Sequence, residues 1–151
     1  MARAGRARED VKRFIVVTAC VDDDLDRAID QLRPQAAMLY RHRGAATLLG
    51  TAGLAIPDEI APLQHVYPDL GHAVNWEDAK RATQFVPDEA VQALWAVGSA
   101  DRVAERAKAL IELDIDGLWW RDEASYAAPE ALVDSLTEAV LPTIRDWEAS
   151  R

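Results

Sequence analysis

Residues Phe85 to Asp122 read FVPDEAVQALWAVGSADRVAERAKALIELDIDGLWWRD, and this stretch decides the fold. Pro87 sits where a first helical turn tolerates a residue without an N–H. Asp88 and Glu89 follow with the charge that the positive end of a helix dipole favours. Val91, Leu94 and Trp95 recur at helical spacing. Gly98 is placed to stop that helix and Ser99 to cap the next, with Asp101 in its first turn. In this second helix Val103, Ala107, Leu110 and Ile111 form one apolar stripe, while Arg102, Glu105, Arg106, Lys108 and Glu112 take the other side. Asp114 ends it. Ile115 to Trp120 then reads as a strand too apolar to have a wet face, and such a strand belongs inside a parallel sheet covered by helices.

A second run of this kind lies near the start. Phe14 to Val21 (FIVVTACV) is rich in β-branched residues and shows no polar alternation, which predicts another buried parallel strand. Asp22, Asp23 and Asp24 follow it, and Leu25, Ala28, Ile29 and Leu32 open a helix. Clustered carboxylates suit a hard divalent cation, and with Asp26 the triplet mimics a magnesium box. Aspartates at a strand's end also cap the next helix and satisfy its dipole, and that is the stronger reading. The pair Arg33-Pro34 predicts a kink or a new first turn.

The 151 residues suffice for one domain with a real core, and half of them are hydrophobic, which excludes disorder. A formal charge of −9 argues against nucleic acid and against anionic membrane surfaces, both of which need a cationic face. Cys20 is the single cysteine, so no intrachain disulfide or zinc cluster forms, and a reducing cytoplasm is the expected compartment. The basic opening MARAGRARED has no apolar segment, so it is no secretory signal, and no later run is long enough to span a bilayer.

Between the two strands the chain reads as helices. Arg41, His42 and Arg43 form the one compact basic cluster after the start. Arg41 is thus a candidate anchor for a phosphate or carboxylate, or else part of a solvated helix end where cations are favoured anyway. Ala45 to Ile56 is apolar with two glycines but is neither a Walker loop nor a dinucleotide fingerprint, and predicts a short, closely packed helix. Pro57, Pro62 and Pro68 punctuate short helices, with His65 and His72 lacking any second ligand at metal-binding spacing. Trp76 to Thr83 is a short amphipathic helix. The final helix opens at Pro129-Glu130 and runs to about Ser150, buries Ala131, Leu132, Leu136, Val140 and Ile144, and kinks at Pro142.

Several of these residues together resemble the last helix–strand unit of the luciferase-like oxidoreductases. They are Val86-Pro87-Asp88-Glu89, Val97-Gly98-Ser99-Ala100, Val103-Ala104-Glu105-Arg106 and Ile115-Asp116. They match that family's VPDE opening, its vGtpe.vaer helix start and its GvD turn into the final barrel strand. The family comprises flavin-dependent monooxygenases and enzymes using the deazaflavin coenzyme F-420, among them methylenetetrahydromethanopterin reductase-like proteins. The chain departs from the pattern at Asp114, where the family has Gly; aspartate tolerates the left-handed conformation better than most residues. The resemblance runs from about Ala4 to Arg145, including the AGRARED lead-in, the acidic step after Val21, the segment HAVNWEDAKRATQFVPDE and the Leu141-Pro142 pair.

The resemblance implies a helix-rich α/β fold: the last two parallel strands and flanking helices of a TIM (β/α)8 barrel, incomplete. Residues 1–151 would form one partial domain, with 1–10 a flexible lead-in and 22–84 a helical insertion region. It implies a reduced FMN or deazaflavin F-420 coenzyme that carries the redox chemistry while the protein positions it. The family's coenzyme-binding segments, one of them glycine-rich, lie mostly on earlier strands and have no counterpart here, so the chain alone is expected to take up no coenzyme tightly. Barrel sites sit at the carboxyl ends of strands, here Thr18-Ala19-Cys20 and Trp119-Trp120-Arg121-Asp122. Arg121 is the candidate partner of an anionic group and Trp120 the candidate apolar wall, unless both tryptophans are plain core or interface residues. His72 falls where the resemblance places an active-site mouth; the alternative is an ordinary half-buried ring.

The implied partners are a small-molecule substrate and either an N-terminal half-barrel chain or further copies of this one. Two other readings stand beside the oxidoreductase: a non-catalytic α/β remnant or oligomerisation module, and a small anion-binding domain using Arg41, His42 and Arg121.

Overall fold

The computed structural model describes residues 5, 7–40, 42, 44–58, 75–122 and 129–151. The two apolar runs are strands and neighbours. β1 is Phe14–Val21. Helices α1 (Leu25–Leu39), α2 (Ala45–Thr51), α3 (Trp76–Ala82) and α4 (Asp88–Leu94) follow it, then strand β2 (Ala96–Gly98) and helix α5 (Ala100–Ile111). β3 is Gly117–Arg121, and the chain closes with α6 (Glu130–Ser135), a π-helical turn (Leu136–Val140) and α7 (Leu141–Ala149). Among the described residues no helix is long and apolar enough to cross a membrane.

The sheet has three parallel strands in the order β2-β1-β3, with the first-made strand in the middle. β1 pairs with β3 from Phe14↔Gly117 to Thr18↔Arg121, and with β2 only from Ala19↔Ala96 to Val21↔Gly98. The two crossovers travel in opposite directions over the sheet, so right-handed connections must lay their helices on opposite faces. The apolar residues divide accordingly. Val17 and Ala19 of β1 and Ala96 of β2 face a cluster built on Val103, Ala104 and Ala107 of α5 and on Leu132, Leu136, Val140 and Ile144 of the final helix. Cys20 and Val97 face the other cluster, built on Ile29, Leu32 and Ala36 of α1, Leu49 of α2, and Val86, Ala90 and Val91 at α4.

Three expectations are corrected here. The segment Phe85–Val97 is not a helix running to Gly98. α4 stops at Leu94, and Ala96–Gly98 crosses as a third, short strand. Pro34 begins no new helix; α1 continues through it to Leu39. Arg33 beside it ties α1 to α4, donating to the Val86 carbonyl and to the Asp88 carboxylate. The strands do have a wet face. Phe14 is 61% exposed, Val16 46% and Trp119 65%. All three lie on the face of Thr18 and Cys20, at its amino-terminal half, while the carboxyl-terminal half of that face is covered.

Capping follows the sequence closely. Asp24 caps α1, accepting from the Arg27 N–H at 3.1 Å, and Ser99 caps α5, accepting from the Arg102 N–H at 3.4 Å. Asp114 adopts φ +55°, a left-handed conformation that aspartate tolerates better than most residues. Arg13 donates to its carboxylate at 2.5 Å. In the final helix the buried residues Leu132, Leu136, Val140 and Ile144 recur every fourth position. A spacing of four overruns the 3.6-residue turn, and the wider π-helical turn takes up the drift just before Pro142.

The amino-terminal pole of the sheet is an ionic clasp. Asp116 accepts from the Arg13 N–H at 2.7 Å and from Lys12 at 3.3 Å, and the Arg8 guanidinium lies 3.0 Å away. These contacts, the Arg13 N–H first, hold its carboxyl down at about 2 from the ordinary 3.8. A depressed carboxyl contributes stability above its unfolded value and loses it as pH falls through the folded one. The fold is therefore expected to weaken between about pH 4 and pH 2, and Asp116→Asn to flatten that part of the curve. Urea midpoints measured across this window check it; an unchanged acid limb in the variant would refute the assignment.

Candidate functional site

The carboxyl ends of parallel strands are where an α/β sheet presents groups to a ligand. Here they border a cavity of about 260 Å³, lined by Ala19, Cys20, Val21 and Asp22 at the end of β1, Gln31 of α1, Asp122 after β3, and Ala131 and Leu132 of α6. The chain leaves β1 at Val21, and the Asp22 N–H bonds the Gly98 carbonyl at 2.9 Å, locking the β1 exit to the end of β2.

Asp22 receives two hydrogen bonds at 2.5 Å from the Arg27 guanidinium, and these hold its carboxyl below the ordinary range. The acidic triplet is thus divided between an ion pair at Asp22 and a helix cap at Asp24. Among the described residues no group of three or more histidines, cysteines or carboxylates is arranged to hold a metal ion. Gln31 is positioned by Trp76, whose indole N–H donates to its side-chain oxygen at 3.0 Å. The Cys20 thiol is pushed up to about 11 by burial first, then by the charges of Asp22 and Asp122. Near neutral pH it lines the cavity as a neutral thiol.

A direct consequence is measurable. Two pK units above the ordinary 9.0 leave about a hundredth of the usual thiolate near neutral pH, so alkylation of Cys20 is expected to run about 100-fold slower in the folded chain than in urea. Equal rates in the two states would show an exposed, ordinary thiol.

The sequence candidates fall differently. Arg41 and His72 lie outside the described residues. Trp120 sits on the helix-covered side of β3, packed against the α5–α7 cluster. Trp119, not Trp120, occupies the open face. Arg121 is exposed at the end of β3, in register with Thr18, and has an interaction of its own. Neither Trp120 nor Arg121 is among the cavity's lining residues. The strand ends read from the sequence, through Ala19, Cys20 and Asp122, border this cavity, whereas Gln31 and the third strand end at Gly98 were not read from it. The indole of Trp76, one turn from Lys80 in a short amphipathic helix, was the available signal for Gln31 only once α3 was known to pack on α1.

A second crevice of about 350 Å³ lies between α4 and α5, beside Trp95. Its guanidinium groups are engaged within the chain. Arg102 donates to the Gln92 side chain and Arg106 to the Ala93 carbonyl, each at 3.0 Å. These bonds fasten α5 to α4.

Comparisons with known proteins bear on this geometry. The family described as luciferase-like monooxygenase matches residues 1–117. Among solved structures, an F420-dependent secondary alcohol dehydrogenase in complex with an F420-acetone adduct is similar in fold, with a TM-score of 0.54 at 14% sequence identity. That likeness takes in 95% of this chain and 35% of the other, so the chain spans about a third of that structure's length. No curated protein matches.

Proposed function

We propose that this chain, which belongs to the luciferase-like monooxygenase family, contributes the final strand ends of an oxidoreductase whose redox coenzyme is a flavin or deazaflavin. The family match over residues 1–117 carries the reading. The cavity at the carboxyl ends of β1 and β3 supports it, because that is where a barrel of this kind holds its ligands.

The described residues do not fit a whole coenzyme. Sites for ligands of that size occupy roughly 300–1,000 Å³, more than the cavity's volume of about 260 Å³. A phosphate-bearing tail needs cations or helix-end N–H groups. The described lining offers the carboxylates of Asp22 and Asp122 instead. On this reading Ala19, Val21 and Leu132, which share one face of the sheet, form one apolar wall of a larger site, and the coenzyme's anchors belong to other strands. The chain then belongs to an incomplete barrel, inactive until completed. The misfit also supports a non-catalytic module as the second reading.

The test is coenzyme retention through gel filtration, read by absorbance. The chain incubated with FMN or with F-420 is expected to elute without coenzyme. Retention of one equivalent by the chain alone would overturn this division of the site. Reconstitution with the missing strands is expected to restore retention, and a completed assembly that holds neither coenzyme would remove the oxidoreductase reading in favour of the non-catalytic one.

A further inference from the structure

The crevice between α4 and α5 holds positive charge that the fold does not balance. Arg102 and Arg106 stand one helical turn apart on α5, and both line it. Each guanidinium is pinned by a neutral acceptor. The Arg102 side chain lies across Gly98, where a Cβ would come 2.9 Å from its Cδ, and reaches the Gln92 side chain at 3.0 Å. Arg106 reaches the Ala93 carbonyl at 3.0 Å. Among the described residues neither guanidinium forms an ion pair. The two carboxylates in the same lining are balanced elsewhere. Glu105 accepts from Lys108 at 2.7 Å, and Asp101 sits in the first turn of α5, where the helix dipole favours its charge. Trp95 lines the crevice too, and its indole N–H is buried without a hydrogen-bond partner among the described residues. A buried donor left unpaired costs free energy that an acceptor placed beside it recovers.

We propose that this crevice is a binding site for a phosphate dianion, free or as the head of a small ester, clamped between Arg102 and Arg106 beside Trp95. Planar guanidinium forks match phosphate oxygens in pairs, and each fork keeps N–H groups beyond the one its pinning bond uses. Two such forks carry two positive charges, which suit a dianion better than a monocarboxylate.

Three features favour such a ligand. The bonds to Gln92 and Ala93 are made within the fold, so both long side chains are ordered before the ligand arrives. The volume of about 350 Å³ falls within the roughly 300–1,000 Å³ of small-molecule sites and leaves room for an organic body beside the phosphate. The net charge of −9 repels anions from the surface at large, so saturable uptake of phosphate requires a local site of this kind. The crevice shares no described lining residue with the strand-end cavity, and the inference is independent of the oxidoreductase reading.

The test titrates the full chain with inorganic phosphate, glycerol phosphate and acetate in a calorimeter. One equivalent of either phosphate is expected to saturate the chain, with acetate about tenfold weaker or more. Tighter binding of glycerol phosphate assigns the crevice to an ester, and equal binding to the free ion. Arg102→Gln and Arg106→Gln are each expected to weaken phosphate about tenfold or more. Arg81→Gln, at an exposed arginine on α3 paired with Asp78, should leave it unchanged. Both crevice arginines also fasten α5 to α4, so their loss lowers the thermal midpoint by itself; the discriminating readout is the rise that saturating phosphate adds. That rise is expected in the parent and in Arg81→Gln, and is absent from the two crevice variants. Trp95→Phe removes the indole N–H but neither guanidinium. It is expected to weaken phosphate several-fold, and so tests the site even where an arginine variant fails to fold. The inference is overturned by a lack of saturable uptake of either phosphate, by acetate bound as tightly, or by an equal loss in Arg81→Gln.

Discussion

Leu32→Ala is expected to lower the unfolding free energy by about 3 kcal/mol. Leu32 lies at the middle of α1 with none of its surface exposed. It projects into the cluster that joins α1 to α4 and to Val97 of β2. Leucine and alanine are both strong helix formers, so the substitution leaves propensity almost unchanged and isolates the packing loss. Around it stand Ala28, Ala36, Ala37 and Ala90, all at 0% exposure. Side chains that short cannot swing inward to refill the space, so most of the cavity persists and the cost stays near the middle of the range for buried leucines. A domain of ordinary stability holds about 5–15 kcal/mol, so the loss is a large share of the whole. Urea unfolding followed by tryptophan fluorescence measures it. A change below about 1 kcal/mol with an unaltered slope would mean that α1 is not seated as described.

Gly98→Ala is expected to cost about 2–3 kcal/mol, for a different reason. Gly98 has φ +112°, a conformation that residues with a Cβ rarely adopt. A methyl there would lie 2.9 Å from Cδ of Arg102 and 3.2 Å from Cδ1 of Leu25. The arginine can give way; the leucine, part-buried at the first turn of α1, has less room. The strain would reach the cavity, because the Gly98 carbonyl accepts from Asp22 at 2.9 Å and so sets where the chain leaves β1. The stability loss is therefore expected together with faster alkylation of Cys20. Either effect without the other would show that the β1 exit and β2 are not coupled through that bond.

The main frame was legible because it rests on strong local signals. Phe14–Val21 and Ile115–Trp120 read as apolar runs, and two such runs in one chain with helices between them pair in parallel, as Phe14–Val21 and Gly117–Arg121 do. Ser99 and the left-handed Asp114 were legible because cap and turn chemistry is local. β2 was not. Ala96, Val97 and Gly98 continue the spacing of Val91, Leu94 and Trp95, and only pairing with Ala19–Val21 turns three residues into a strand. Pro34 misled because its ring removes one helical bond, which the packing of α1 on both α3 and α4 outweighs. The choice between Trp119 and Trp120 was illegible in principle. Which of two adjacent tryptophans faces a helix depends on register with a strand about a hundred residues away, and a slip of one residue would exchange them.

The placement of β1 at the centre of the sheet has a consequence during synthesis. It is made before both of the strands it pairs with here, and β3 begins at Gly117, about a hundred residues later. At roughly 5–20 residues per second, FIVVTACV waits on the order of ten seconds with neither edge satisfied. A nascent segment so apolar and so long unaccompanied is a natural client for a ribosome-bound chaperone, and yield in the cell should follow the supply of that holding factor more closely than it follows the folded chain's equilibrium stability.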